Sequence, residues 1–247
     1  GAILFPVGFC MLYLMGFDLL TGVFVLTPLA WLDKRPGVSI KAILKKDDSA
    51  KRLCLALGAS TSLIDFLNRA PENLDVFAKP IVKLAEADEL NASLLQSVAP
   101  LLKSGLQVAD AWNAVRRAYR RELLKIVSFD LSQANPQAGQ PIVAAALADL
   151  AGAAIEAGLA IARAELIHSS EHGVFTEFEV QNTRVAVLAM GKCGARELNY
   201  ISDVDVIYVA ESADAELETS RAIDVATKLV TRMMRAMDGT STEPMLW

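Results

Sequence analysis

Near residue 173 the hydrophobic pattern of this chain changes its period. Before that point apolar positions recur three and four residues apart, as on one face of a helix. Leu53, Leu57 and Ile64 follow this spacing, and Ser60 or Ser62 is placed to cap a helix running to about Arg69. Pro71 opens a further segment at a first helical position. Residues 81–103 read as one or two helices broken near Pro100. Residues 107–131 read as one long helix with a stripe of Val108, Ala111, Val115, Leu123, Ile126 and Val127. "SQANPQAGQP" reads as a loop and 142–168 as a very Ala-rich helix, with Gly173 beyond its end. Past residue 173, "RVAVLAM" (184–190) and "DVDVIYVAE" (203–211) are strand candidates, and 216–237 has an amphipathic helical pattern. The expectation is an α+β chain, a helical N-terminal half leading into a β-α unit.

Residues 1–32 stand apart. The uncharged run "AILFPVGFCMLYLMGF" is followed by Asp18 and then by "LLTGVFVLTPLAWL". A membrane hairpin stands here against a buried helical start or sequence foreign to the rest. Each run is short for a span, and Pro6, Gly8, Gly16 and Pro28 interrupt it, which weighs against the membrane. The turn-rich "DKRPGVS" (33–39) then marks a boundary. The expected organisation is therefore an apolar segment over 1–37, a helical subdomain over 38–173 and a β-α unit over 174–247.

Composition sharpens this picture in three ways. Hydrophobic residues are 53% of the chain and aromatics only 6%, an Ala- and Leu-rich balance that favours helix. A net charge of −5 argues against a general nucleic-acid binder. Cys10, Cys54 and Cys193 are odd in number and far apart, so neither a disulfide framework nor a zinc spacing is present, and a reducing cytoplasm is the default. The chain begins with Gly and stops at Trp247 in mid-pattern, which reads as a piece of something longer.

Three stretches carry candidate chemistry. Arg116, Arg117, Arg120 and Arg121 form two i,i+4 pairs; a solvated helix face is the expectation, a phosphate or acidic-partner contact the competitor. "HSSEH" (168–172) matches the H-x-x-E-H pattern of inverted zinc peptidases, with His168 and His172 spaced as metal ligands. It falls at an expected helix end, where histidines more often meet the helix dipole or solvent. The third stretch is "MGKCGARELNYISDVDVIYV" (190–209). Along a strand side chains alternate, so Asp203 and Asp205 point one way and Val204, Val206 and Tyr208 the other. Two carboxylates so close repel, and a divalent cation such as Mg²⁺ relieves that repulsion. Upstream, Gly191 and Gly194 allow close backbone approach to a phosphate, and Lys192 adds a positive charge. Strand, Gly turn, short helix and Asp-x-Asp together suit a metal-plus-nucleotide site. Two solvated acids behind an ordinary turn are the plain alternative.

The same stretch resembles the signature of the bifunctional glutamine synthetase adenylyltransferase/adenylyl-removing enzymes, a family of polymerase-beta-type nucleotidyltransferases. "LGASTSLIDFLNRAPENLDVF" (57–77), "RRAYRRELLKIVSFDL" (116–131), "LADLAGAAIEAGLAIARAEL" (147–166) and "STEPMLW" (241–247) are similar to other segments of that family. The likeness covers about residues 38–247. It implies a polymerase-beta-type fold, cut short here, in which Gly191, Lys192 and Gly194 meet nucleotide phosphates and Ser202 stands at the site entrance. Asp203 and Asp205 would be catalytic and bind Mg²⁺, and a third carboxylate would come from a strand beyond Trp247, so this chain alone should be weak or inactive. Cys193 stands where Leu is usual. Asn199 fits the family's N-terminal unit, which removes AMP from a tyrosine of glutamine synthetase by phosphorolysis and releases ADP. The other unit attaches AMP from ATP. The implied partners are glutamine synthetase, ATP or ADP, phosphate and a PII-type signalling protein, with glutamine as an effector. A catalytically incomplete regulatory module and a membrane-associated protein are the competing classes.

Overall fold

The computed structural model describes residues 43, 45–103, 107–168 and 174–238. The apolar segment 1–32, the boundary at 33–39, Glu171, His172, Gly173 and the "STEPMLW" segment lie outside the described residues. Helix α1 (Asp47–Ala59) and helix α2 (Thr61–Arg69) are followed by a 3-10 helix, Pro71–Ala78. Then come α3 (Ala87–Val98), α4 (Val108–Asp130), α5 (Pro136–His168) and α6 (Glu177–Gln181). Strand β1 (Thr183–Ala189), the one-turn α7 (Gly191–Gly194), strand β2 (Val206–Ser212) and α8 (Thr219–Asp238) complete the described chain. The α+β expectation holds: helices dominate, with one two-stranded antiparallel sheet among the described residues.

The chain forms two compact units. One holds the described residues up to Leu84 together with Leu124–Gly139. Its core joins Leu53 and Leu57 of α1, Phe66 and Leu67 of α2, Phe77 of the 3-10 helix and Leu124 and Val127 of α4. Arg52, buried beside this core, donates from Nη2 to the Phe77 carbonyl (2.9 Å) and to Ser49 Oγ (3.1 Å). It therefore satisfies one of the carbonyls that a helix end leaves open. Ser60 takes the cap position between α1 and α2 with extended backbone, although its hydroxyl makes no cap bond. Pro71 does stand at the start of its segment, where a missing N–H costs nothing.

The second unit comprises Ala85–Leu123 and Gln140 onward. Gly158 of α5 shows how closely its helices approach. A Cβ there would lie 3.0 Å from Trp112 of α4 and from Met233 and Met237 of α8. α5 is long and apolar enough to cross a membrane, but 72% of its most apolar stretch is buried inside the protein, so its apolarity serves the core.

Three expectations need correction here, and a fourth, left between one helix and two, is settled. The loop over 132–141 is shorter than its Pro and Gly suggest: α5 starts at Pro136, with the Ala138 N–H bonded to Asn135 Oδ1 (3.2 Å) and Pro141 inside the helix. In 81–103 there is one helix, α3, starting at a reciprocal capping box between Glu86 and Glu89. The arginine row of α4 is solvated on one flank only: Arg117 is exposed and Arg121 half-buried. Arg116 and Arg120 are buried, as is Glu122, which accepts from Ser93 Oγ (2.9 Å). Arg116 donates to the carbonyls of Ala236 and Met237 at the end of α8, where a cation meets both open carbonyls and the negative helix end. Finally, β2 begins at Val206 instead of Asp203 because its partner strand ends at Ala189, the residue opposite Val206.

Candidate active site at the Gly turn and the paired aspartates

The sheet sets the stage. β1 and β2 pair from Thr183 with Ser212 to Ala189 with Val206. One further bond, Met190 N–H to the Asp205 carbonyl (2.8 Å), continues the ladder past the strand ends. Asp203 and Asp205 thus lie in the extended lead-in to β2. The alternation read from the sequence still applies there: Asp203, Asp205, Ile207 and Val209 are exposed, while Val204, Val206, Tyr208 and Ala210 are half-buried. On the exposed side the two carboxylates are followed along the same row by Ile207 and Val209, with Leu188 opposite Ile207.

The turn after β1 is held by backbone hydrogen bonds. Gly191 has φ +53°, a left-handed conformation that glycine adopts without penalty. A Cβ at Gly191 would lie 3.2 Å from Asp205 Oδ2, so the bare backbone leaves space beside that carboxylate. Gly194 lies so close to β1 that a Cβ would come within 2.3 Å of the Ala189 carbonyl oxygen. The turn closes with Glu197 N–H on the Lys192 carbonyl (2.8 Å) and Arg196 N–H on the Cys193 carbonyl (3.1 Å). These bonds make a Schellman cap, whose left-handed residue is usually glycine. Here that residue is Arg196, with φ +60°. The conformation costs a non-glycine residue about 1–2 kcal/mol.

Arg196 forks onto Asp149 of α5, Nη1 to Oδ1 at 2.6 Å and Nη2 to Oδ2 at 2.8 Å. The arginine side chain is 57% exposed and the aspartate 13%, so the pair offsets the strain by roughly 1 kcal/mol at most. Asp149 and Arg196 border a cleft of about 580 Å³, shared by α3, α5, the sheet and the Gly turn. Val206 lines the cleft; Asp203 and Asp205 do not. Cys193, also on the cleft wall, is buried, and burial together with the Asp149 and Asp205 charges pushes its thiol pKa up. It is a neutral packing residue at neutral pH.

The structure brings Gly191 against Asp205 and sets Asp203 on the same exposed side. Lys192 is exposed on the one-turn helix, and Ser202 is half-buried just before Asp203. Among the described residues no group of three or more His, Cys, Asp or Glu is placed to hold a metal ion. Of the "HSSEH" pattern, His168 is exposed at the end of α5 and the remaining residues lie outside the described ones. Sequence reasoning missed Asp149 and Arg196. Neither carries a composition signal, because a left-handed arginine looks like any other arginine.

The model of the glutamate-ammonia ligase adenylyltransferase family matches residues 50–247. The chain belongs to that family. It is 45% identical over 206 residues to a bifunctional glutamine synthetase adenylyltransferase/adenylyl-removing enzyme of Leifsonia xyli, covering 83% of this chain and 20% of the relative. Relatives of the same description from Cutibacterium acnes (37% over 227 residues, 90% of this chain, 22% of the relative) and Bifidobacterium longum (35% over 228 residues, 84% and 19%) also match. The chain thus spans about a fifth of the length of these curated relatives. The family match covers both the Gly turn and the Asp-x-Asp segment, as well as Asp149 and Arg196.

Proposed function

We propose that this chain is the adenylyl-removing part of a nucleotidyltransferase acting on glutamine synthetase, with 174–247 as its catalytic unit and 38–173 as its helical subdomain. One observation carries the reading. In a member of this family, a left-handed Gly turn lies against Asp205 while Asp203 shares the same exposed side. Two hard-oxygen groups beside a backbone with no side chain suit a Mg²⁺ ion and a phosphate. Asp203 and Asp205 would hold the ion. When bound, Mg²⁺ supplies charge neutralisation around the phosphorus under attack.

The residues of the chain do the positioning. Gly191 keeps the space beside Asp205 open to phosphate oxygens, and exposed Lys192 adds a cation for them. A phosphate oxygen attacks the AMP phosphorus of adenylyl-tyrosine, the bond to the tyrosine oxygen breaks, and that oxygen takes a proton. The products are ADP and glutamine synthetase with its tyrosine side chain unmodified. Asn199, which fits the adenylyl-removing unit of the resembled family, supports this direction over AMP attachment from ATP. A cytoplasmic setting and control by a PII-type protein and glutamine belong to the same reading.

The test uses a protein of its relatives' length that contains this chain. With Mg²⁺, phosphate and adenylylated glutamine synthetase it should release ADP. Asp203→Asn and Asp205→Asn should each reduce that release by about a thousandfold or more, the scale of losing an essential electrostatic group. Thermal stability should hold, because removing one of two crowded carboxylates relieves repulsion. Wild-type turnover in either variant removes these residues from the mechanism. Pyrophosphate release from ATP and unmodified glutamine synthetase, lost in the same variants, would favour AMP attachment instead.

A further inference from the structure

The turn Gly191–Gly194 is clamped at both ends. At its start the Met190 N–H holds the Asp205 carbonyl at 2.8 Å, and Gly191 leaves 3.2 Å between its missing Cβ and Asp205 Oδ2. At its end Arg196, locked in the Schellman cap, makes two hydrogen bonds to Asp149 of α5. α5 is a helix of the core, and Asp149 is largely buried while Arg196 reaches down to it from the surface. A glycine at position 196 would take the same backbone conformation without strain. The arginine is therefore a poor choice for stability alone. It adds a rigid, two-point connection between the turn and a buried helix, which a glycine cannot make.

We infer that Arg196 and Asp149 are positioning residues for Asp205: their ion pair fixes the Gly turn on α5, and the turn fixes the carboxylate. The connection is mechanical. The fork prevents the turn from rotating about the end of β1, a motion that would carry Met190, Gly191 and the bonded Asp205 with it. The inference rests on reading Asp205 as a metal-holding residue, and it assigns a role to a pair that lies on the cleft wall.

The experiment compares Arg196→Gly, Asp149→Asn, Arg196→Lys and Asp205→Asn in the 247-residue chain, with Mn²⁺ alone as probe. Arg196→Gly removes the fork together with the strain. Asp149→Asn leaves the backbone of the turn unaltered. Two measurements separate the pair's role from that of Asp205. Amide exchange at Met190, the donor to the Asp205 carbonyl, should speed up in both Arg196→Gly and Asp149→Asn. Unchanged protection in Asp149→Asn overturns the inference. Mn²⁺ binding should disappear in Asp205→Asn and weaken about tenfold or more in Arg196→Gly and Asp149→Asn, as for other residues that orient metal ligands. Arg196→Lys, which keeps the charge but not the fork, should fall between them. Unaltered affinity in Arg196→Gly and Asp149→Asn, beside a loss in Asp205→Asn, also overturns it. If the unsubstituted chain binds no Mn²⁺ that depends on Asp205, the metal reading fails, and the exchange at Met190 still decides whether the pair positions the turn. The thermal midpoint of Arg196→Gly should equal or exceed that of the unsubstituted chain. A drop in midpoint matching the drop in affinity would make the pair merely structural and overturn the inference.

Discussion

Gly194 and Gly158 meet their surroundings in different ways, and the difference can be measured. At Gly194 the obstacle is the Ala189 carbonyl, part of the β1 backbone and 2.3 Å from where an alanine methyl would sit. It cannot move without dragging the strand. Gly194→Ala should cost about 1–3 kcal/mol, as overpacking does, and shift the turn. At Gly158 the obstacles are side-chain atoms, Met233 Cγ, the Met237 methyl and the edge of the Trp112 ring, each 3.0 Å away, and methionine side chains are flexible. Gly158→Ala should cost less than about 1 kcal/mol, since the gain in helix propensity is of similar size. Urea unfolding of both variants checks the order. Equal costs would mean that the turn does not lie on β1 as closely as described. At this scale the paired aspartates were readable in advance, because alternation along an extended segment depends only on spacing. Arg196 and Asp149 were not. Their pairing depends on a backbone angle and on a helix 47 residues away in sequence.

The smaller elements are fixed by charged side chains at their ends. α6 starts with a Thr176–Glu179 capping box, a T-x-x-E pattern present in the sequence, but the helix behind it is too short to show a hydrophobic period. Glu179 also pairs with Arg221 of α8, and the Arg221 guanidinium lies 4.5 Å from the Phe175 ring centroid and bonds the Val174 carbonyl. The hydrogen bond from Arg221 holds the Glu179 carboxyl down to about 2, below its ordinary 4.5, with Thr176 assisting. A carboxyl with a lowered folded pKa stabilises above its unfolded value and loses that contribution as pH falls toward the folded one. Glu179→Gln should therefore be less stable than the unsubstituted chain at pH 7, and the gap should close between about pH 4.5 and pH 2. Thermal midpoints across that range test it; a constant gap would show that packing alone joins α6 to α8. Arg116 illustrates the converse difficulty of reading elements from sequence. A four-arginine row on a helix looks solvated, and only the arrival of the end of α8 makes Arg116 a buried cap.

For the molecule as a whole, the order of elements and the α+β class followed from periodicity, because apolar spacing records which side of each element is covered. The grouping of elements did not. The last third of α4 and the start of α5 belong with α1, α2 and the 3-10 helix, and no local pattern marks the change at Leu124 or Gln140. Two unbroken helices thus contribute to both units; α4 gives its residues 108–123 to one and 124–130 to the other, and α5 gives only its first turn to the unit of α1. A break in α4 at that point should be felt in both. Lys125→Pro removes a helical N–H and clashes with the preceding turn, at about 3 kcal/mol or more. Leu57→Ala instead opens a cavity at a position 2% exposed, within the core of the first unit, at about 2–5 kcal/mol. The two variants should then differ in pattern at similar cost. Amide exchange should rise in α1 and α8 together for Lys125→Pro, but in α1 and not α8 for Leu57→Ala. Exchange confined to α1 in both would show that the continuity of α4 does not couple the units, and that each keeps its stability by its own packing.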